Sequence, residues 1–151
     1  ALPTQLYLST NAADYESFLK INKPKYDDSW ERWNRTLDML KHLDTRTVLR
    51  ITLIRNYNDQ KEMIPAFAEM FRKASPHFIE IKSYMHIGRS TNRLEHENML
   101  EMSEVKKFSE QIAKESKIFS IMDESLVSRI SILQNDERFI DRYIPTYSNT
   151  N

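Results

Sequence analysis

Three short stretches of this chain alternate between apolar and polar side chains, and a period of two marks each as a β-strand. In Gln5–Ser9, about 47–54 and about 78–85, Leu6, Leu8, Leu49, Ile51, Leu53, Ile79 and Ile81 point one way. Gln5, Tyr7, Ser9, Arg50, Thr52, Glu80 and Lys82 point the other. A strand covered by helices on both faces reads as a nearly unbroken Val/Ile/Leu run, so charge on one face predicts either water or a lined cavity. Helical segments between the strands favour the cavity.

Residues 11–20 read as a short helical turn. Asp27 and Asp28 then open a longer helix in which Trp30, Trp33, Leu37 and Leu40 recur with helical spacing, as packing residues and not as a stacking platform. Asn58 is the expected N-cap of a third helix that places Met63, Phe67 and Met70 together, with Pro65 marking a kink or the true first turn. A polar loop runs from His86 to about Glu101, and Ser103 is expected to cap a helix with Val105, Phe108 and Ile112 inward. Two short strands follow, 118–122 and 129–133, and residues 135–151 form a tail with Phe139, Tyr143 and Ile144 as a weak docking face.

Strand starts near 5, 47, 78 and 118, separated by helix-bearing stretches, predict an α/β fold built as a βαβ series. The sheet is expected to be parallel, with helices on one outer side and ligand groups at the carboxyl ends of the strands. With a polar inner face, residues 1–134 are expected to form part of a barrel whose open strand edge needs a cover. Ala1-Leu-Pro3 leads straight into the first strand, as expected of a chain cut from something larger.

Composition narrows the chemistry. Lys plus Arg balances Asp plus Glu at 22 each, so net charge selects no partner, although a balanced total can hide a basic patch. No apolar run approaches a membrane span and no leader is visible, which makes the cytoplasm the expected location. The absence of cysteine removes disulfides, thiolate metal sites and thiol nucleophiles, and His42, His77, His86 and His96 lack metal-ligand spacing. Gly88 is the one glycine, so a phosphate-cradling glycine loop is excluded.

Arg50, Glu80 and Lys82 share one face of neighbouring strands and are the candidate catalytic group. They either satisfy one another as an ion-pair network or handle an anion, with Lys82 as oxyanion partner, base or Schiff-base amine. Ser9 and Asn11, where the first strand ends, offer a hydroxyl and an amide suited to a sugar edge or to capping. His86, Arg89, Asn92 and Arg93 form a basic loop flanked by Tyr84, a mixture that suits an RNA backbone. Between the last two strands, residues 123–129 make a turn or present Arg129 to the chamber.

Five stretches are more specific: Thr4–Ala12 (TQLYLSTNA), Lys20–Pro24 (KINKP), Arg46–Ile54 (RTVLRITLI), Phe78–His86 (FIEIKSYMH) and Asp123–Arg129, read as D-E-S-x-x-S-R. In order and spacing they resemble the second half of the radical-SAM 4-demethylwyosine synthases of wybutosine formation, in their archaeal form. The resemblance implies the carboxyl-terminal half of a TIM-like part-barrel and a condensation of pyruvate with N1-methylguanosine beside the anticodon of tRNA-Phe. It implies S-adenosylmethionine and a [4Fe-4S] cluster, the latter held by a C-x3-C-x2-C loop in an amino-terminal half that this chain lacks. This chain alone is then expected to be inactive. Ser9, Asn11, Thr52 and His86 fall at positions implied to hold the cofactor, with Asn11 where the family pattern Ser-x-Asp-Ala has aspartate. Arg89, Asn92, Arg93 and Arg129 are implied to contact tRNA. Two other classes fit the same residues: a non-catalytic RNA-binding or interaction module, and an aldolase or lyase using Lys82 with Glu80.

Overall fold

A computed structural model of the chain describes residues 1–144. It contains strands β1 (Gln5–Ser9), β2 (Arg46–Leu53), β3 (Phe78–Ser83), β4 (Phe119–Ser125) and β5 (Ile130–Asn135), with helices α1 (Tyr15–Asn22), α2 (Ser29–Leu40), α3 (Ile64–Ala74) and α4 (Met102–Ser116). They form one five-stranded sheet in the order β1-β2-β3-β5-β4. The first three strands are parallel, in the register Ser9↔Arg50, Arg50↔Glu80 and Thr52↔Lys82. The last two correct the all-parallel expectation: β5 pairs antiparallel with both β3 and β4, placing β4 at the edge. A parallel partner needs a crossover of a dozen or more residues. Only a tight turn over residues 126–129 separates β4 from β5.

The apolar face is the core. Leu49, Ile51, Leu53, Ile79, Ile81 and Leu133 are fully buried beneath Leu37 and Leu40 of α2, Phe67, Phe71 and Ala74 of α3, and Val105, Phe108 and Ile112 of α4. Aromatic rings bridge the layers, Phe71 lying 6.0 Å from Phe67 and 6.4 Å from Phe119. Trp30 packs on Phe18 at 5.2 Å, joining α1 to α2, and Trp33 leans on the core as the packing role requires.

Helix boundaries follow local chemistry. Asp14 accepts the Ser17 N–H at 2.9 Å to cap α1. Pro65 lies in the first turn of α3, where its missing N–H costs nothing. Asn58 is not that helix's cap: its side chain is wholly buried among strand ends, described below. Ser103 is not a cap either, because α4 is opened by Glu101 in a reciprocal capping box with Glu104. The expected loop after β3 is a pair of short 3-10 turns, Gly88–Asn92 and His96–Asn98, whose second half is tied to the segment after β2 by the Arg55 N–H to Asn98 carbonyl bond of 2.9 Å. Among the described residues no helix is long and apolar enough to cross a membrane.

The tail also differs from expectation. Phe139 and Tyr143 are 74% and 69% exposed, so they do not dock. Cations anchor the segment instead: Arg46 donates to the carbonyls of Asp141, Arg142 and Tyr143, and Arg142 pairs with Asp123. Residues 145–151 of the tail lie outside the described residues.

His77 couples this sheet to pH. The Thr47 N–H donates to its Nδ1 at 3.1 Å, and burial, with Arg138 and Arg46 nearby, pushes the imidazole down to about 4. An unfolded histidine titrates near about 6.5, so below that pH the unfolded chain binds a proton the folded chain refuses. The stabilisation is complete above about pH 6.5 and is lost as pH falls towards about 4. Melting temperatures measured across that window should fall more steeply for the wild type than for His77→Asn, whose side-chain oxygen accepts the same N–H without titrating. Parallel curves would refute the coupling.

Candidate functional site

On the face away from the helices, the register of β1, β2 and β3 sets Ser9, Arg50 and Glu80 side by side, with Tyr7 two residues before Ser9 on the same strand. Arg50 forks onto Glu80, with Nε to Oε1 at 2.8 Å and a terminal nitrogen to Oε2 at 3.3 Å. Its guanidinium lies 4.6 Å from the centre of the Tyr7 ring, a contact not read from the sequence because it depends on which strands are neighbours. The Glu80 side chain is 10% exposed and that of Arg50 37%, so the carboxylate is the deeper partner. Towards the amino ends of the strands the face dips into a shallow cleft floored by Val48, Phe78 and Ile132 and bordered by Arg142 of the tail.

Towards the carboxyl ends the face is polar and less committed. Lys82 is half-buried beside Thr52, its partner in register, and makes no ion pair among the described residues. The Ser9 and Thr52 hydroxyls likewise make no hydrogen bond among those residues. Arg50 and Glu80 thus neutralise each other, and Lys82 is left without a counter-charge among the described residues at the carboxyl end of the face.

Asn11 is engaged structurally. Its Oδ1 accepts the Thr52 N–H at 2.9 Å, which leaves the amide NH2 as its free group. Beneath it Asn58, fully buried, accepts the Ile54 N–H at 2.7 Å and donates to the carbonyls of Thr52 and Asn11 at 2.9 and 3.0 Å. Asn58 therefore fixes the strand ends that carry Ser9 and Thr52. A buried asparagine shortly after a strand was the available signal, and it resembles a helix cap too closely to be told apart locally.

The loop after β3 carries the remaining candidates. His86 Nδ1 is 3.1 Å from the Tyr84 hydroxyl, and the His86 N–H points at the Met99 sulfur. Arg89, Asn92 and Arg93 are exposed on the first 3-10 turn. Arg129 behaves differently: it donates to the Leu100 carbonyl at 2.9 Å and lies 3.4 Å from Glu101, pinning the loop where it meets α4. The structure thus brings Arg50, Glu80, Lys82, Thr52 and Ser9 onto one face and sets Arg129 apart from them.

The family model for wyosine base formation matches residues 73–135, the stretch from the end of α3 through β5. The S-adenosyl-L-methionine-dependent tRNA 4-demethylwyosine synthase of Methanocaldococcus jannaschii is 43% identical over 141 residues, covering 92% of this chain and 43% of its own. That of Pyrococcus abyssi is 38% identical over 90% of this chain and 39% of its own. A solved structure of TYW1 with a lysine-pyruvate adduct bound superposes with a TM-score of 0.82 at 42% identity, over 91% of this chain and 43% of that one. The crystal structure of an archaeal TYW1 gives 0.73 at 37% identity, over 91% and 42%. This chain spans about two fifths of the relatives it matches. Identity at this level along nine tenths of the chain, with a shared fold at TM-scores of 0.82 and 0.73, leads to one conclusion: the chain is TYW1-like, similar over about two fifths of their length to the S-adenosyl-L-methionine-dependent tRNA 4-demethylwyosine synthases.

Proposed function

We propose that this chain is the carboxyl-terminal half of a radical-SAM enzyme that condenses pyruvate with N1-methylguanosine next to the anticodon of tRNA-Phe, and that the open face of its sheet is one wall of the reaction chamber. The observation that carries this is a continuous 43% identity with a synthase more than twice its length, on a sheet with polar side chains on its helix-free face. In this reading the face is half of a TIM-like barrel, completed by an amino-terminal half in the cytoplasm.

The iron–sulfur cluster does not fit this chain's own residues, because there is no cysteine to supply thiolates. It belongs to the other half. S-adenosylmethionine does fit: the free Ser9 and Thr52 hydroxyls and the remaining Asn11 amide suit a ribose edge, and His86 stands at the start of the loop beyond. When bound, that cofactor supplies the one-electron chemistry. The chain's own contribution is positioning. Lys82, the one lysine carried by the five strands, holds the carboxylate of pyruvate, while the Arg50–Glu80 pair fixes the wall beside it without adding net charge.

A second reading has Lys82 bonded to pyruvate as a Schiff base, favoured by the lysine adduct described for the TYW1 structure. One experiment separates the two. With the cysteine-bearing half, S-adenosylmethionine, pyruvate and methylated tRNA supplied, the wild type forms the tricyclic nucleoside, whereas this chain alone forms none. Lys82→Ala is expected to lower turnover by about a hundredfold, and Lys82→Arg to recover most of it if charge suffices but none if an amine is required. Failure of both wild-type halves together to yield the tricyclic product would overturn the assignment and leave a non-catalytic RNA-binding module.

A further inference from the structure

A second concave site lies on the same carboxyl-terminal rim, separate from the Arg50–Glu80 wall. Lys20 and Lys23 reach it from the end of α1, Ile54 and Tyr57 from the segment after β2, and Arg93 and Leu94 from the loop after β3. Three cations line it and no carboxylate does. None of the three takes part in an ion pair among the described residues, although Arg32, Arg50, Arg55, Arg72, Lys73 and Lys106 all do.

In a chain with 22 cationic and 22 anionic residues, three segments remote in sequence meeting without a counter-charge require a specific cause. Cations at a helix carboxyl terminus are ordinarily stabilised by its dipole, which accounts for Lys20 and Lys23. It does not account for Arg93, which arrives from a different loop, or for the aromatic ring of Tyr57 in the same lining. The Lys20 ammonium rests 5.2 Å from the centre of the Tyr57 ring, so a charged group already reaches that ring from the groove. Cations around an aromatic ring, over apolar Ile54 and Leu94, match the chemistry of an RNA strand: phosphates on the cations, with a base or ribose against the ring.

We propose that Lys20, Lys23, Arg93 and Tyr57 form an RNA-binding groove that seats the backbone of a single-stranded loop beside the chamber. The proposal rests on the reading of the chain as part of a tRNA-modifying enzyme, and it brings in α1 and the segment after β2, which that reading leaves without a role. Lys20, Lys23 and Arg93 are all exposed, so replacing them spares the fold.

The test is fluorescence anisotropy of the 151-residue chain with a labelled tRNA-Phe transcript across a salt series. Combining Lys20→Gln, Arg93→Gln and Lys23→Asn, the last chosen because asparagine tolerates the left-handed backbone at φ 46°, should weaken binding more than tenfold at low salt. The slope of log affinity against log salt should become shallower by about 2, since each phosphate neutralised on a single strand contributes about 0.7. Arg93→Gln alone should give about a third of that change, which keeps the test usable if the triple variant folds poorly. Tyr57→Leu should weaken binding about tenfold with the slope unchanged, since stacking releases no counterions. Unchanged affinity and slope in the triple variant, or no binding by the wild type, would overturn the groove. The synthase reading fails separately: if the assembled wild type makes product and the triple variant keeps its KM for tRNA, only the groove is refuted, whereas absence of product from the wild type counts against the synthase.

Discussion

Replacing Asn58 with alanine is expected to destabilise the chain by about 3 kcal/mol, measured as a lower urea midpoint at unchanged slope. The side chain is 0% exposed and makes three hydrogen bonds, all to backbone: one accepted from Ile54 and two donated, to Thr52 and Asn11. Truncation leaves one N–H and two carbonyls without that partner, at about 1 kcal/mol or more each when they stay dry. Asn58→Asp is a sharper probe, since it keeps the shape and the acceptor for Ile54 while turning an anion towards two carbonyl oxygens. It should cost more than alanine. The damage should also reach the site, because Asn11, held by Asn58, itself fixes Thr52 through a 2.9 Å bond, and Ser9 stands two residues before it. An alanine variant within about 0.5 kcal/mol of wild type would show that the brace is redundant.

The strands carrying that site were legible because apolar and polar side chains alternate along residues 49–53 and 79–82, although Val48, Phe78 and Glu80 on the other face are buried as well. Leu49, Ile51 and Leu53 reach the core while Arg50 and Thr52 do not, as a period of two requires. Their parallel pairing was legible too, since each connection is long enough to hold a helix. What failed was the extension of the same rhythm to β4 and β5, where a short turn permits only a hairpin. Chain-length arithmetic carries that signal. For Ser103 the signal was present and outweighed: Glu104 stands three residues after Glu101, the spacing of the capping box that forms. Asn58 is a different case. Its partner Asn11 lies 47 residues away, and no local pattern distinguishes an asparagine that caps a helix from one that braces two strands. Arg129 was ambiguous for a similar reason, its guanidinium being directed by a carbonyl at Leu100 that only the folded loop brings near. In the tail, apolar content suggests docking through Phe139 and Tyr143, whereas Arg46 and Arg142 supply the contacts, and their carbonyl and carboxylate partners are remote in sequence.

Breaking the Arg50–Glu80 pair should be strongly asymmetric. Arg50→Met strips the partner from a carboxylate whose side chain is 10% exposed, and an orphaned, mostly buried charge costs about 3 kcal/mol, reduced somewhat here because the arginine it loses was itself 37% exposed. Glu80→Gln leaves Arg50 bonded to a neutral amide, in contact with solvent and resting on Tyr7, and should cost about 1 kcal/mol. The double variant removes both charges and keeps similar volumes, so it should be more stable than Arg50→Met alone, giving a coupling of about 2 kcal/mol in a double-mutant cycle. Chemical denaturation of the four proteins measures this directly. The same cycle run on turnover, with the cysteine-bearing half supplied, separates a brace from a chamber wall. If the pair merely satisfies itself, stability and turnover recover together in the double variant. If the pair holds Lys82 and substrate in place, stability recovers and turnover does not, because methionine and glutamine fill the space without the bidentate fork that fixes β2 against β3 at that level of the face.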